Sequence, residues 1–241
     1  MPSKGIVYYT DGRLDSDIHN TVRRQLRRCV NLKDISNVVS VTLSDPDWDF
    51  GKWIKLDKER GYLTMFKQIL AGLEAVNTDI TYFCEHDVLY HPTHFDFTPT
   101  PTSYWYNTHV YKVSAQTGQA LTYTCAQTSG LSAETELLLT HYRKRVQLVE
   151  EHGFSRKMGF EPGTHGRAER VDDIKAQFWR SDIPLVDVRH TKNLTETRWK
   201  KEQFRNQRFT EGWLESDSVP GWGNTLGRFN DFLKDIRCSN E

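Results

Sequence analysis

The spacing of apolar residues predicts alternating strands and helices in the first half of the chain. Short apolar runs over residues 5–9, 38–43 and 79–84 are typical of buried strands. Between them, apolar residues recur with a helical period over residues 18–32 and 62–76. Strands that alternate with amphipathic helices indicate a parallel α/β sheet.

The second half has a less regular pattern. It predicts a strand over residues 104–113, a hairpin through Gly118 to a strand at 121–125, and a helix over 132–152. Residues 171–173 are expected to cap a helix at 174–181, which Pro184 ends, and residues 185–188 form a short strand. A last amphipathic helix is expected over 229–236. A length of 241 residues predicts one domain over residues 1–241, and the chain contains no internal repeat.

Polar residues follow the first and third predicted strands. Residues 10–13 come after the first strand, and Glu85-His86-Asp87 come after the third. Ligands of parallel sheets bind beyond the carboxyl ends of the strands. In an extended chain, Glu85 and Asp87 project to the same side, and two carboxylates suit Mg²⁺ or Mn²⁺ carrying phosphates. Two solvated acids at a strand end are the alternative.

Arg60 and Gly61 precede the second helix. A helix N-terminus offers free N–H groups to an anion such as a diphosphate. Ordinary helix capping is the alternative role for this pair.

Composition narrows the classes of partner and compartment. Lys and Arg together number 32, as do Asp and Glu, so net charge favours neither nucleic acid nor membrane. We expect no membrane-spanning run, no signal peptide and a cytoplasmic location. The four cysteines are scattered, which predicts free thiols instead of a zinc site or disulfides.

At residues 79–92 and 187–195 the chain resembles the GT-A glycosyltransferases, which transfer sugars from sugar nucleotides. The resemblance implies a GT-A (Rossmann-like) α/β fold: a mixed, mostly parallel sheet flanked by helices in a single domain. Residues 1–100 would form the nucleotide-binding half, and 101–241 the acceptor-binding half with a C-terminal extension. Asp87 and His190 would hold the divalent metal, Mn²⁺ or Mg²⁺. Glu85 stands where the family has aspartate, which makes it a less certain metal ligand.

The resemblance also implies roles for other residues. Tyr9, Thr10, Asp11 and Arg13 would contact the uracil and ribose of the donor. Arg60 and Gly61 would contact its uridine and diphosphate, and Lys192 and Asn193 its phosphates. Glu85 and His86 would also bind the donor. The base that takes the acceptor proton would be a carboxylate at the start of a helix in the C-terminal half. Asp172 fits best, with Asp173, Glu169 and Glu161 as rivals, and a plain N-cap is its alternative role. His165 is either an acceptor-side residue or an ordinary loop histidine.

More narrowly, residues 85–92 and 189–195 are similar to bacteriophage-type glycosyltransferases found beside TET-like dioxygenases. That likeness implies UDP-glucose or UDP-N-acetylglucosamine as donor, 5-hydroxymethylcytosine in DNA as acceptor, and a location in the host cytoplasm. DNA would need basic patches and an aromatic pocket for a flipped base. The candidates are residues 23–28, 143–145, Lys200, Lys201, Arg205 and Arg208 for the phosphates, and Trp105, Trp199 and Trp222 for the base.

Three other functions remain open. The acceptor could be a glycan or a small molecule. A nucleotidyltransferase uses similar metal chemistry, although residues 10–13 contain one glycine where such enzymes often have a glycine-rich phosphate loop. A binding module without catalysis is the third, and the clustered polar loops at strand ends argue against it.

Overall fold

The computed structural model describes residues 1–45, 48–155, 161–164 and 171–238. The helices are α1 (Ser16–Leu32), α2 (Tyr62–Val76), α3 (Thr135–His152) and α4 (Phe229–Cys238). The strands are β1 (Lys4–Thr10), β2 (Asn37–Thr42), β3 (Lys52–Lys55), β4 (Ile80–Glu85), β5 (Val88–Leu89), β6 (Tyr104–Asn107), β7 (Val110–Ser114), β8 (Ala120–Thr122), β9 (Leu131–Glu134), β10 (Ala176–Trp179), β11 (Leu185–Arg189), β12 (Leu214–Ser216), β13 (Ser218–Val219) and β14 (Gly223–Asn224).

A seven-stranded sheet organises the fold, in the order β10-β6-β9-β4-β1-β2-β3. β9 runs antiparallel to β4 and β6, and the other neighbouring pairs are parallel. The predicted mixed, mostly parallel α/β sheet flanked by helices is therefore confirmed. Tyr9 pairs with Glu85 in the register of β1 and β4, so these two strands end side by side.

Alternation along β1 explains how both faces of this sheet are buried. Val7 and Tyr9 pack in a cluster with residues of α2 and α3, whereas Ile6 and Tyr8 pack in a second cluster with residues of α1. Successive strand residues point to opposite faces, so a continuous apolar run is what a strand covered on both sides requires. The amphipathic helices predicted over the first half supply that cover.

A second, five-stranded sheet has the order β12-β8-β7-β11-β5. β11 pairs with β5 antiparallel and with β7 parallel. β5 follows β4 after the two residues His86 and Asp87, which form a turn between the strands. This short link brings the carboxyl end of β4 next to the carboxyl end of β11. The backbone N–H of Val188 donates to the carbonyl oxygen of Asp87 at 2.8 Å.

The strand predicted over residues 104–113 is wrong in one respect, because it is two strands in two sheets. β6 lies in the central sheet and β7 in the second sheet. The break falls at Asn107, whose Oδ1 accepts hydrogen bonds from the backbone N–H groups of His109 at 3.0 Å and Ser181 at 3.3 Å. An asparagine side chain that replaces ladder bonds in this way lets the chain change sheets.

Two predicted helices also need correction. The helix predicted over 132–152 begins at Thr135, because residues 131–134 form β9. The helix predicted over 174–181 is wrong: residues 176–179 form β10, which pairs in parallel with β6. Trp179 in β10 stacks on Phe97, with ring centroids 4.3 Å apart. The edge of the central sheet offers both backbone partners and an aromatic surface, which the local pattern does not reveal.

Two arginines of the expected basic patches, Arg23 on α1 and Arg145 on α3, are buried. Arg23 lies over the ring of Trp48, and Arg145 lies over Phe66. His141 is also buried. Long basic side chains cover apolar and aromatic surface with their stems, so a run of charges does not by itself define a solvated face.

Two further expectations concern the state of the cysteines and the presence of membrane-spanning helices. The four cysteines are free thiols, and Cys29 and Cys84 are buried. Among the described residues, no helix combines the length and the apolar character needed to cross a membrane.

Candidate functional site

A cleft opens where β1, β4 and β11 end. The space between its walls is about 910 Å³, part of which is open solvent. Its walls are formed by Tyr9, Thr10, Asp11, Leu43, Arg60, Gly61, Met65, Gln68, Glu85, His86, Asp87, Gln127, Thr128, Glu161, Arg189, Lys192, Asn193, Leu194 and Thr195. All the donor-binding residues predicted from the sequence except Arg13 are in this wall. Arg13 is exposed beside it.

Three potential metal ligands meet at one edge of the cleft. His86, Asp87 and His190 each offer one ligand atom, and these atoms lie within 4.8 Å of one another. Nε2 of His190 is 3.5 Å from Oδ2 of Asp87. Two imidazoles and one carboxylate are a donor set that divalent ions bind in proteins, so the residues fit the ion that the sequence implied. Asp87 and His190, separated by more than a hundred residues, are thus brought together as expected.

Asn193 holds this cluster together. Its Nδ2 donates to Oδ2 of Asp87 at 2.7 Å, and its Oδ1 accepts from the backbone N–H of His190 at 2.6 Å. Burial would raise the pKa of Asp87, but the hydrogen bond with His190 and the nearby His86 hold that pKa below its usual value. Asp87 is therefore ionised, which is the form that binds a cation.

Glu85 is directed differently from Asp87. Its carboxylate accepts a hydrogen bond from the hydroxyl of Tyr9 on the neighbouring strand. Burial and the charge of Asp87 raise the pKa of Glu85 to about 8. Burial and the adjacent Glu85 also raise the pKa of the Tyr9 hydroxyl. The described geometry thus groups Glu85 with Tyr9 at the end of β1 and not with the three potential metal ligands.

Arg60 connects two walls of the cleft. Its Nε pairs with Oδ2 of Asp11 at 2.7 Å, and its Nη2 donates to the carbonyl oxygen of Lys192. The adjacent Gly61 is the N-cap of α2 and makes no side-chain cap bond. The N-terminus of a fifteen-residue helix, one arginine and the exposed Lys192 therefore border the same space. Each of these features favours an anion there.

The sequence did not assign a role to the network around Asp187. This carboxylate is 1% exposed and accepts hydrogen bonds from Gln127 at 2.5 Å and from Arg189 at 3.2 Å. Arg189 also donates to the carbonyl oxygen of Thr195 at 2.7 Å. Its guanidinium therefore fixes the start and the end of the loop that carries His190, Lys192 and Asn193. The signal available in the sequence was an aspartate inside an otherwise apolar strand.

Asp172, the favoured base, is not among the residues that line the cleft. Its Oδ2 accepts from the Tyr104 hydroxyl at 2.8 Å and lies 2.6 Å from Nδ1 of His141, and its Oδ1 accepts from the backbone of Ile174. The helix it was expected to begin is β10. Burial lowers the pKa of His141 to about 4, so this contact is a hydrogen bond from a neutral imidazole to a carboxylate. The expectation of an N-cap in front of a helix is wrong.

Among the rival bases, Glu161 lines the cleft. The turn that carries it is tied to the central sheet, because the Tyr106 hydroxyl donates to the carbonyl oxygen of Pro162 at 2.7 Å. Asp173 is exposed and does not line the cleft. The candidates His165 and Glu169 lie outside the described residues.

Some other residues of the wall were also missed. Gln68 is buried on the apolar face of α2, where its Nε2 donates to the carbonyl oxygen of Thr10 at 2.8 Å. A single glutamine on an apolar helix face was a signal that a buried backbone group needs a partner. Thr128 begins a 3₁₀ turn, Thr128–Gly130, that leads directly into β9, and nothing in the local pattern indicates that it lines a cleft.

The three tryptophans proposed for a flipped base do not share a pocket. Trp105 contacts Phe97, Trp199 packs against a cluster that includes Phe204, and Trp222 donates to the carbonyl oxygen of Pro184. None of them lines the cleft. Of the basic patches, Lys200, Lys201, Arg205 and Arg208 are exposed, as are residues 24, 27, 28, 143 and 144.

No protein-family model and no curated protein matches the chain. Among solved structures, the bifunctional IspDF from Campylobacter jejuni has a TM-score of 0.44 at 12% identity over 75% of this chain and 50% of that one. The mannosyltransferase PcManGT from Pyrobaculum calidifontis, in complex with GDP-Man and Mn²⁺, has a TM-score of 0.44 at 12% identity over 78% and 56%. A glycosyltransferase involved in glycosylation of the major capsid of PBCV-1 has a TM-score of 0.40 at 13% identity over 77% and 92%. The chain spans about half the length of the first two. At these scores the likeness assigns no activity.

Proposed function

We propose that this protein is a metal-dependent glycosyltransferase that moves a sugar from a UDP-sugar to a hydroxyl acceptor. The observation that carries the proposal is the proximity of His86, Asp87 and His190 to an open cleft bordered by Arg60 and Lys192. A cation site beside two basic side chains and a helix N-terminus suits a nucleoside diphosphate. The cleft is open to solvent, so an acceptor hydroxyl can approach a donor sugar bound there.

Breaking the bond between sugar and phosphate builds negative charge on the diphosphate. When bound, the ion supplies positive charge to those phosphates. The ammonium of Lys192 neutralises the same charge from the loop after β11, and the guanidinium of Arg60 orients that loop. Tyr9, Thr10 and Asp11 at the end of β1 contact the nucleoside, together with Glu85.

Two carboxylates compete for the role of base. Asp172 was favoured by the resemblance, and it is engaged with Tyr104 and His141 away from the cleft wall. Glu161 borders the cleft, so it can reach a hydroxyl held next to the sugar. A base must lie within hydrogen-bond reach of the proton it takes. The geometry therefore supports Glu161 over Asp172.

The proposed donors are UDP-glucose and UDP-N-acetylglucosamine, and the proposed acceptor is 5-hydroxymethylcytosine in DNA. The exposed Lys200, Lys201, Arg205 and Arg208 support a polyanionic acceptor, since they lie on the chain directly after the cleft loop. A glycan or small-molecule acceptor is the alternative. A nucleotidyltransferase would differ in its products, because it releases pyrophosphate and not a nucleoside diphosphate.

Binding of UDP should depend on the divalent ion and on Asp87. We expect calorimetry with Mn²⁺ to show UDP binding by the parent protein and a loss of at least about tenfold in Asp87→Asn. The matched control is Asp96→Asn, an exposed acid that pairs with Lys33 away from the cleft. Equal affinity of the parent and Asp87→Asn for UDP and Mn²⁺ would refute the proposal.

Turnover then identifies the acceptor. The parent protein is incubated with each UDP-sugar and with DNA that contains 5-hydroxymethylcytosine, unmodified DNA or an oligosaccharide. Mass spectrometry of each acceptor should show a hexose or N-acetylhexosamine added to the modified DNA alone. Addition to the oligosaccharide alone would transfer the assignment to a glycan, and release of pyrophosphate would identify a nucleotidyltransferase.

A further inference from the structure

We propose that His86 is a third protein ligand of the ion, and that the site therefore selects transition-metal ions such as Mn²⁺ and Co²⁺ over Mg²⁺. The inference rests on the proposed function, because it concerns the same ion. The sequence placed His86 among the nucleotide-binding residues and assigned the metal to Asp87 and His190. The structure brings an atom of His86 within 4.8 Å of the ligand atoms of both.

The imidazole of His86 is held in place from one side. Its Nδ1 is 2.6 Å from Oγ1 of Thr10 and 3.7 Å from Oδ1 of Asp11. A histidine that ligates a metal through one ring nitrogen commonly donates the other N–H to a hydroxyl or carboxylate. The contacts of Nδ1 thus fix the ring, and Nε2 is assigned to the ion. This arrangement is what a metal ligand needs and what a solvated turn histidine lacks.

The position of the ring agrees with this role. The side chain of His86 is 14% exposed, and its ring centroid is 6.4 Å from that of His190. This spacing allows the two imidazoles to face a shared ion, and Nε2 of His190 is 3.5 Å from Oδ2 of Asp87. Asn193 donates to that carboxylate and orients it, as hydrogen bonds to ligating carboxylates do.

The donor set has a consequence for ion selectivity. Mg²⁺ prefers six oxygen ligands and keeps several waters, whereas imidazole favours transition-metal ions. Two imidazoles among three protein ligands penalise Mg²⁺ and leave the remaining positions of the ion for the oxygens of a substrate. A site made of Asp87 and His190 alone, with one imidazole and one carboxylate, would discriminate less between transition-metal ions and Mg²⁺.

Pulsed electron paramagnetic resonance of the Mn²⁺-loaded full chain tests the assignment directly, because directly bound imidazole nitrogens give resolved couplings. We expect the parent to show two coordinated nitrogens and His86→Gln to show one. His152→Gln is the control, since that histidine is exposed and lies at the end of α3. Its spectrum should match the parent.

Competition titrations measure the selectivity. The parent should bind Mn²⁺ at least about tenfold more tightly than Mg²⁺, and His86→Gln should narrow that ratio by about tenfold. Because the nitrogen count of the parent needs no substitution, a folding defect in His86→Gln does not spoil the test. One coordinated nitrogen in the parent would overturn the inference while leaving the proposed function intact. If the parent does not bind Mn²⁺ and shows no phosphorus coupling after UDP is added, the proposed function is refuted as well.

Discussion

The buried His94 should make this fold sensitive to acid. Its ring is fully buried among aromatic rings, and it stacks on Trp179 with ring centroids 5.8 Å apart. Burial lowers its pKa from 6.5 to about 3, with a smaller contribution from the charge of Lys4. Folding thus requires a neutral imidazole at a position where the unfolded chain has an ordinary histidine.

Hydrogen bonding explains why His94 cannot simply accept a proton in the folded state. Nδ2 of Asn107 lies 3.1 Å from Nδ1 of His94 and donates to Oγ of Ser181 at 2.8 Å. Oδ1 of the same amide accepts two backbone N–H groups, so the amide cannot turn over. Nδ1 of His94 must then be an acceptor. If it were protonated, its N–H would face the N–H of Asn107, and neither donor would have an acceptor.

The size of the loss in folding stability follows from the difference between the folded and unfolded pKa of His94. The folded pKa lies below the unfolded one, so stability is complete above about pH 6.5 and declines as pH falls, levelling off near pH 3. A shift from 6.5 to about 3 corresponds to about 5 kcal/mol in total, of which about 2 kcal/mol is lost by about pH 5. His141, whose pKa is lowered to about 4 by burial, should lose a similar amount by that pH.

Guanidinium unfolding between about pH 8 and pH 5 measures the loss. Between these pH values, His94→Gln should lose about 2 kcal/mol less stability than the parent, because glutamine keeps an acceptor for Asn107 and does not titrate. The comparison is between the two proteins, because protonation of Glu85, whose pKa is raised to about 8, stabilises both of them over the same range. His152→Gln, at an exposed position, should retain the slope of the parent. If His94→Gln kept the full dependence on pH, the argument from burial would be refuted.

Three other outcomes can be measured. Asn193→Ala should weaken Mn²⁺ binding by about 10–100-fold without changing the number of coordinated nitrogens, and an unchanged affinity would exclude its orienting role. Glu161→Gln should lower kcat by about 10²–10⁴-fold with donor affinity retained, whereas Asp172→Asn should mainly lower Tm; the reverse pattern would restore Asp172 as the base. Gly118→Ala should cost at least about 2 kcal/mol by denaturant unfolding, because its φ is +73° and a Cβ would lie 1.8 Å from a backbone oxygen. Gly153→Ala, with φ of +77° and open space, should cost about 1 kcal/mol, and equal losses would contradict the steric argument.

Local sequence pattern was sufficient for the first half of the fold. The continuous apolar run of β1 and the helical period of α1 and α2 are determined by residues close in the chain, and the predicted limits of α2 agree with the structure. The same pattern placed Thr10, Asp11 and residues 85–87 at the edge of the sheet where the cleft lies, since the carboxyl ends of parallel strands meet at one edge. A polar stretch directly after a buried parallel strand therefore lies at that edge of the sheet.

Tertiary structure alone decided the remaining features. β10 has a sequence compatible with a helix, but it becomes a strand because the edge of β6 offers backbone partners. Asp172 consequently loses its place at a helix start and binds His141 instead. The addition of His86 to Asp87 and His190 likewise depends on the two-residue turn between β4 and β5 and on the pairing of β5 with β11. Contacts between residues distant in the chain set these outcomes, because the free energy of strand pairing and side-chain burial exceeds the weak local preference of a short segment.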